Sequence, residues 1–277
     1  MKKGYGKPCR VEEKFACDLF STLPSMLSLR TRFVHLYIKD LSSATPAYDN
    51  YGLYTLVEQP DENYFLNRSL DTAGSLYKAE AFDFSLAAAL LEVSDPAYDK
   101  VAFEQILDIK QGDSHEGLLA MLGAVNDPAL DIDAVVEAYF DKENLLTWLA
   151  MNGILGNSDC VTQGYLLYKP LLSQKWYFIP GNMSGAMPAG GDDNVAAVMQ
   201  SGLSMFYGNL LYERFLSKEA NERALEAKID ELMRRFTPGY IAGITRQYRP
   251  VLQAFLFVTS DVLPFDDEFL LHGIILG

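Results

Sequence analysis

The sequence predicts an α+β protein: a small strand-rich N-terminal lobe over residues 1–85 and a larger helical lobe over 86–277 containing a β-hairpin at 164–180. Three observations predict it. "TRFVHLYIKD" and "GLYTLVEQ" alternate side-chain character in the manner of strands. From Ala87 to Ile154 apolar residues recur mostly at helical spacing. Between helical tracts, "YLLYK" and "KWYFI" flank the turn "PLLSQ".

In chain order, "VEEKFACDLFSTL" reads as a helix stopped by Pro24. The strands "TRFVHLYIKD" and "GLYTLVEQ" follow, read as an antiparallel pair across the turn-rich "SSATPAYDNYG". "PDENYFLNR" opens with Pro60 and two acids, which suits the first turn of a helix. "GSLYKAE" is a third strand of the N-terminal lobe. Helical segments are then expected at "SLAAALLEV", "VAFEQILDIK", "HEGLLAMLGAV", "DIDAVVEAYF" and "KENLLTWLAMNGIL". After the hairpin they resume at "VAAVMQSGLSMFYGNLLYERFLS" and "NERALEAKIDELMRRF", with two more following Pro238 and Pro250.

A chain of 277 residues, 49% of them apolar, has enough material for a substantial core. Its formal charge of −14 argues against nucleic-acid binding, which needs clustered Lys and Arg, and against anionic lipid surfaces. Cys9, Cys17 and Cys160 have no metal-ligand spacing, and the three histidines are scattered, so neither zinc nor a disulfide framework is indicated. No apolar run approaches a membrane span, and "MKKGYGKPCR" does not read as an export signal. Gly4 to Lys7 is too short for a phosphate-binding loop.

The hairpin carries the functional reading. With Tyr168 opposite Tyr177, Gly164 falls opposite Gly181, so loops 159–163 and 182–184 emerge at one end. Gly156 suits a left-handed cap ending the preceding helix there. A helix, a loop with one Asp, a hairpin and a second polar loop is the order of parts in a protein-kinase centre, where one Asp orients the acceptor hydroxyl and a second holds metal. Asp159 is the candidate for the first role, or a residue capping its own loop.

"YGLYTLVEQPDENYFLNR", "GSLYKAE", "DKENLLTWLAMNGILGNSD" and "YLLYK…KWYFIP" together resemble the CotH family, spore-coat kinase-like proteins with an atypical protein-kinase fold. The resemblance runs from about Arg30 to Pro264. It implies ATP-dependent phosphorylation of Ser on a partner protein, with ATP and Mg²⁺ as cofactors and the spore coat or cell surface as location. It matches Asp159 to the catalytic-loop Asp, with Asn157 in the same motif, and Lys78 to a recurrent Lys that could meet phosphate as a point charge. Glu58 could partner that Lys or cap the following turn. The sequence departs from the family where the metal is expected: Gly164 replaces an Asn, and Asn182 and Ser184 replace two acids. Asn182, with Asp192 or Asp193 swung in from "GGDDN", is then the expected metal set; each is otherwise a loop residue. An impaired kinase or a pseudokinase serving as a binding or structural module is therefore expected.

Overall fold

A computed structural model describes residues 11–42, 45–187 and 202–255. Helices and antiparallel strands are mixed, as an α+β protein requires. Strand β1 (Thr31–Lys39) pairs antiparallel with β2 (Tyr48–Val57) as a separate two-stranded ribbon. A second sheet contains β3 (Ser75–Ala79), β4 (Leu107–Gln111), β5 (Tyr165–Lys169) and β6 (Tyr177–Pro180) in the order β4-β3-β5-β6.

The hairpin register is the expected one. Tyr168 lies opposite Tyr177, and Tyr165 opposite Pro180. β3, expected with the N-terminal strands, is instead an inner strand of the hairpin's sheet, with Lys78 opposite Leu166 on one side and Asp108 on the other. Leu76, Tyr77 and Ala79 are all buried, so β3 needs neighbours on both edges and cover on both faces. The four-stranded sheet thus takes β3 from before residue 85 and its other strands from after it.

β5 is buried on both faces. Tyr165 and Leu167 join the larger core, which includes Trp148, Phe178, Leu149 and Tyr212. Leu166 and Tyr168 face the other way, into a smaller core with Leu76, Ile179, Tyr64 and Phe65. The first helices in chain order are α1 (Glu12–Ser21), α2 (Glu62–Leu66) and α3 (Lys100–Glu104). They are followed by α4 (Glu116–Asn126), α5 (Ile132–Tyr139) and α6 (Lys142–Leu155). Beyond the hairpin lie α7 (Leu210–Leu216), α8 (Glu219–Arg235) and α9 (Pro238–Phe255). Helix α6 crosses the larger core, where the Trp148 ring stacks on Phe178 with centroids 5.8 Å from Phe20 and 5.6 Å from Phe178.

Four expected elements differ. "LDIKQ" is strand β4, because Leu107 and Ile109 alternate with Asp108 and Lys110 and the segment completes the edge beside β3. "SLAAALLEV" is not helical: Phe84 adopts φ 64°, and the Asn126 side chain clamps the segment by donating to Phe84 O and accepting from Leu86 N. Pro250 lies inside α9 instead of breaking it; Ile241, Ile244, Tyr248, Leu252 and Phe255 keep one apolar stripe on the core, outweighing the lost hydrogen bond. The tract before α7 is interrupted at Gly208 (φ 96°), after which Asn209 caps α7 through Tyr212 N. Among the described residues no helix is long and apolar enough to cross a membrane.

Candidate functional site at the open end of the hairpin

Helix α6 delivers the site. Asp141 caps its start by accepting from Asn144 N, and Gly156, at φ 58°, ends it in a left-handed cap. Gly156 N–H donates to Gly153 O, and Asn157 N–H to Asn152 O. A 3₁₀ turn, Ser158–Val161, then carries Asp159.

The three carbonyls that follow Asp159 are held from outside the turn, two by the start of α7 and one by the segment after β3. Tyr212 Oη donates to Cys160 O, Asn209 Nδ2 to Val161 O, and Phe82 N–H to Thr162 O at 2.8 Å. Asp159's own carbonyl accepts from Thr162 and Gln163. Burial pushes the Cys160 thiol far up, with the Asp159 charge adding to it, so this cysteine is an inert part of the wall. Burial likewise keeps the Tyr212 and Tyr165 hydroxyls protonated as donors; Tyr165 Oη donates to Phe82 O.

The two loops meet as the register requires. Gly181 N–H and Asn182 N–H both donate to Gly164 O at 2.9 Å. Gly164 has φ +82°, and a Cβ built there would lie 2.8 Å from Asn182 O. Loop 182–187 then turns back over the 3₁₀ segment, anchored by the buried Met183 and Ala186 and by Met187 N–H donating to Leu155 O. Between those anchors Gly185 passes so close that a Cβ would lie 2.5 Å from both Asn157 Oδ1 and Asp159 Oδ2.

These two oxygens are distinctive. Asn157 is fully buried and its Nδ2 donates to Asn152 Oδ1; among the described residues its own Oδ1 has no hydrogen-bond partner. Asp159 is half-buried, and among the described residues no hydrogen-bond donor reaches its carboxylate; Asn157, at the N-cap of the turn, makes no side-chain cap hydrogen bond either. Two acceptors with no donor between them converge on one corner. Hard oxygen donors of this kind, one of them anionic, fit an alkaline-earth cation such as Mg²⁺.

The other expected residues are placed as follows. Asn182 Oδ1 accepts from Ser184 N–H, so the amide shapes its own loop, and Ser184 is exposed. Lys78 points from the end of β3 nearest Leu166, at the same sheet end as Gly164, and forms an ion pair with Glu80. Glu58 does not meet Lys78. It forms a two-pronged pair with Arg68, Oε2 at 2.6 Å from Nη2 and Oε1 at 3.2 Å from Nη1, and accepts from Arg30 N–H. Burial would raise the Glu58 carboxyl, but Arg68 and the Arg30 N–H outweigh it and hold it below the usual range. Asp192 and Asp193 lie outside the described residues. No group of three or more His, Cys, Asp or Glu residues is arranged to hold a metal among the described residues. Sequence reasoning did not single out Gly185 or Asn209; the "YGNLL" pattern, Gly then Asn before an apolar run, was a readable signal for the second.

The family model for the CotH kinase protein matches residues 2–263. The chain belongs to the CotH kinase family. No curated protein matches it. In this family member the motif residues Glu58 and Arg68 pair with each other, and the "ENLL" segment opens the helix that ends at the candidate site.

Proposed function

We propose that this CotH-family chain is a kinase homologue whose Asp159 is arranged for ATP-dependent phosphoryl transfer to a Ser of a partner protein, in an impaired form. The supporting observation is that the Asp159 carboxylate, on a turn whose carbonyls from Asp159 to Thr162 are tied, converges with the unpartnered Asn157 Oδ1 beneath Gly185. In this reading Asp159 accepts the proton of the Ser hydroxyl as its oxygen bonds to the γ-phosphorus and the bond to the β-phosphate oxygen breaks, releasing ADP. Asn157 and Asp159 would hold Mg²⁺, which supplies charge neutralisation to the phosphates. Lys78, released from Glu80, would serve as a point charge for phosphate. Residues to 85 take the part of the smaller lobe and 86–277 the larger, with the four-stranded sheet spanning the junction. The spore coat or a cell surface is the setting this reading carries over from the family.

Impairment follows from the replaced residues. Gly164 supplies no side-chain oxygen, Asn182 is a neutral amide engaged in its own turn, and Ser184 carries no charge. Incubation with labelled ATP, Mg²⁺ or Mn²⁺ and Ser-containing acceptor proteins should give slow incorporation that is lost in Asp159→Ala. Equal signals from wild type and variant would overturn the catalytic reading.

The second reading, a pseudokinase serving as a binding or structural module, is favoured by the Gly164–Asn182 junction. The family's Asn at 164 would require a side chain at a positive φ and against a backbone carbonyl. This reading expects no Mg²⁺-dependent rise in melting temperature with ATP; a clear rise supports the first.

A further inference from the structure

A cavity of about 400 Å³ opens at the other end of the hairpin, within the size range of small-ligand sites. Its walls are mostly apolar and aromatic. Tyr168, buried against Phe65, and its cross-strand neighbour Tyr177, partly exposed, form one wall, and Met26 and Leu27 come from the segment after α1. Asp141, the N-cap of α6, and Glu143, in its first turn, are its charged lining residues, and among the described residues that line it there is no lysine, arginine or histidine.

The walls are preformed. Tyr168 Oη is fixed by donation to Asp71 O at 2.7 Å. Asn144 Nδ2 donates to Ser25 O, and Ser25 Oγ lies 3.0 Å from Thr147 Oγ1, which ties the 24–27 segment to α6. A site that needs no ordering on binding keeps more of its contact energy. Asp141 spends one oxygen, Oδ1, on the Asn144 N–H cap. Glu143 is paired with Lys228 at 2.7 Å on the solvent side.

Phosphate is the wrong ligand for such a place. The Asp141 carboxylate repels it, Glu143 being countered by Lys228, and Tyr168 stands four residues along β5 from Gly164, about 13 Å from the Asp159 end. A cation with an apolar stem fits: the stem lies against Met26 and Leu27, and the charge meets the Asp141 carboxylate beside Tyr177.

We infer that this cavity is a docking site for a lysine or arginine side chain of a partner protein, seated against the partly exposed Tyr177 with its charge at Asp141. The partner is favoured over a second copy of this chain by charge complementarity, since a chain of net charge −14 repels itself and attracts basic segments. Docking here requires no phosphoryl transfer and stands apart from the reading of Asp159.

The test uses the full chain without nucleotide. Calorimetric titrations compare blocked Leu-Lys-Leu and Leu-Glu-Leu tripeptides with n-butylammonium chloride. The Lys peptide is expected to bind at least about tenfold more tightly than the Glu peptide, and more tightly than the free amine. Asp141→Asn keeps the helix cap, because Asn caps as well as Asp, but removes the charge. It should cut the preference for Lys to within about threefold. Glu143→Gln provides a second charge removal with a smaller loss in the same direction. Equal binding of the two peptides, no binding of either, binding of the free amine alone, or a preference unchanged in both variants would each overturn the assignment.

Discussion

Asn144 stands in for a missing strand beside Phe178. Its Oδ1 accepts from Phe178 N–H at 2.7 Å and its Nδ2 donates to Phe178 O at 3.2 Å, so one side chain satisfies the outward-facing groups of the edge strand β6. The same contact fixes α6 against the hairpin, and therefore sets where Gly156 and Asp159 emerge. Asn144→Leu is close in volume but leaves both backbone groups buried and unpaired. A loss of about 3 kcal/mol in urea denaturation is expected, with any nucleotide response falling in parallel.

The junction of the two loops depends on a glycine at 164. Its φ of +82° and the 2.8 Å approach of Asn182 O leave no room for a Cβ. Gly164→Ala should destabilise the chain by about 1–2 kcal/mol. Gly164→Asn should do so by less, since Asn tolerates left-handed backbone better than Ala, but the carbonyl contact remains. Combining Gly164→Asn with Asn182→Asp and Ser184→Asp therefore should not restore Mg²⁺-dependent ATP binding unless the junction rearranges. A melting-temperature series over all three substitutions measures this directly.

Gly185 makes the corresponding prediction for the candidate cation corner. A methyl group there would sit 2.5 Å from Asn157 Oδ1 and Asp159 Oδ2, and Met183 and Ala186 on either side prevent the loop from lifting freely. Gly185→Ala should cost about 1–3 kcal/mol by overpacking. It should also remove any Mg²⁺-dependent thermal shift with ATP. A shift retained at full size in Gly185→Ala would place the ion elsewhere.

The site end of the hairpin was legible because strand alternation, the turn at "PLLSQ" and the pair of glycines fix a register with period two. That pattern placed Gly164 opposite Gly181, and the structure agrees. β4 was hidden because its alternation continues directly from the apolar spacing of α3, with one residue, Ile106, between Gln105 and the strand. "SLAAALLEV" misled for a different reason. Its Ala and Leu content favours helix, but the clamp by Asn126 comes from a helix forty residues on, and local propensity carries no trace of it. The partner of Glu58 was equally out of reach, since Lys78 and Arg68 are both plausible in sequence. Only the fold shows Arg68 stacked 3.8 Å over the Tyr64 ring and forked onto the carboxylate.

His115 makes the stability of the chain depend on pH in a defined window. The ring is buried, stacked on Phe103 with centroids 4.2 Å apart, with Tyr77 Oη 2.8 Å from Nδ1 and Tyr98 Oη 3.3 Å from Nε2. Burial pushes its pKa below the ordinary value of 6.5, and the nearby Glu92 only partly opposes this. The neutral form is thus favoured in the folded chain. As pH falls through about 6.5 the unfolded chain takes up a proton that the folded chain refuses, so stability declines until the folded-state pKa is reached. Above that window the histidine contributes no slope. The decline from this one group has a ceiling of about 1.4 kcal/mol per pH unit. His115→Gln should remove it while keeping a polar partner for Tyr77. Urea denaturation of both proteins from pH 8 to pH 5 provides the measurement, and parallel curves would show that the slope arises elsewhere.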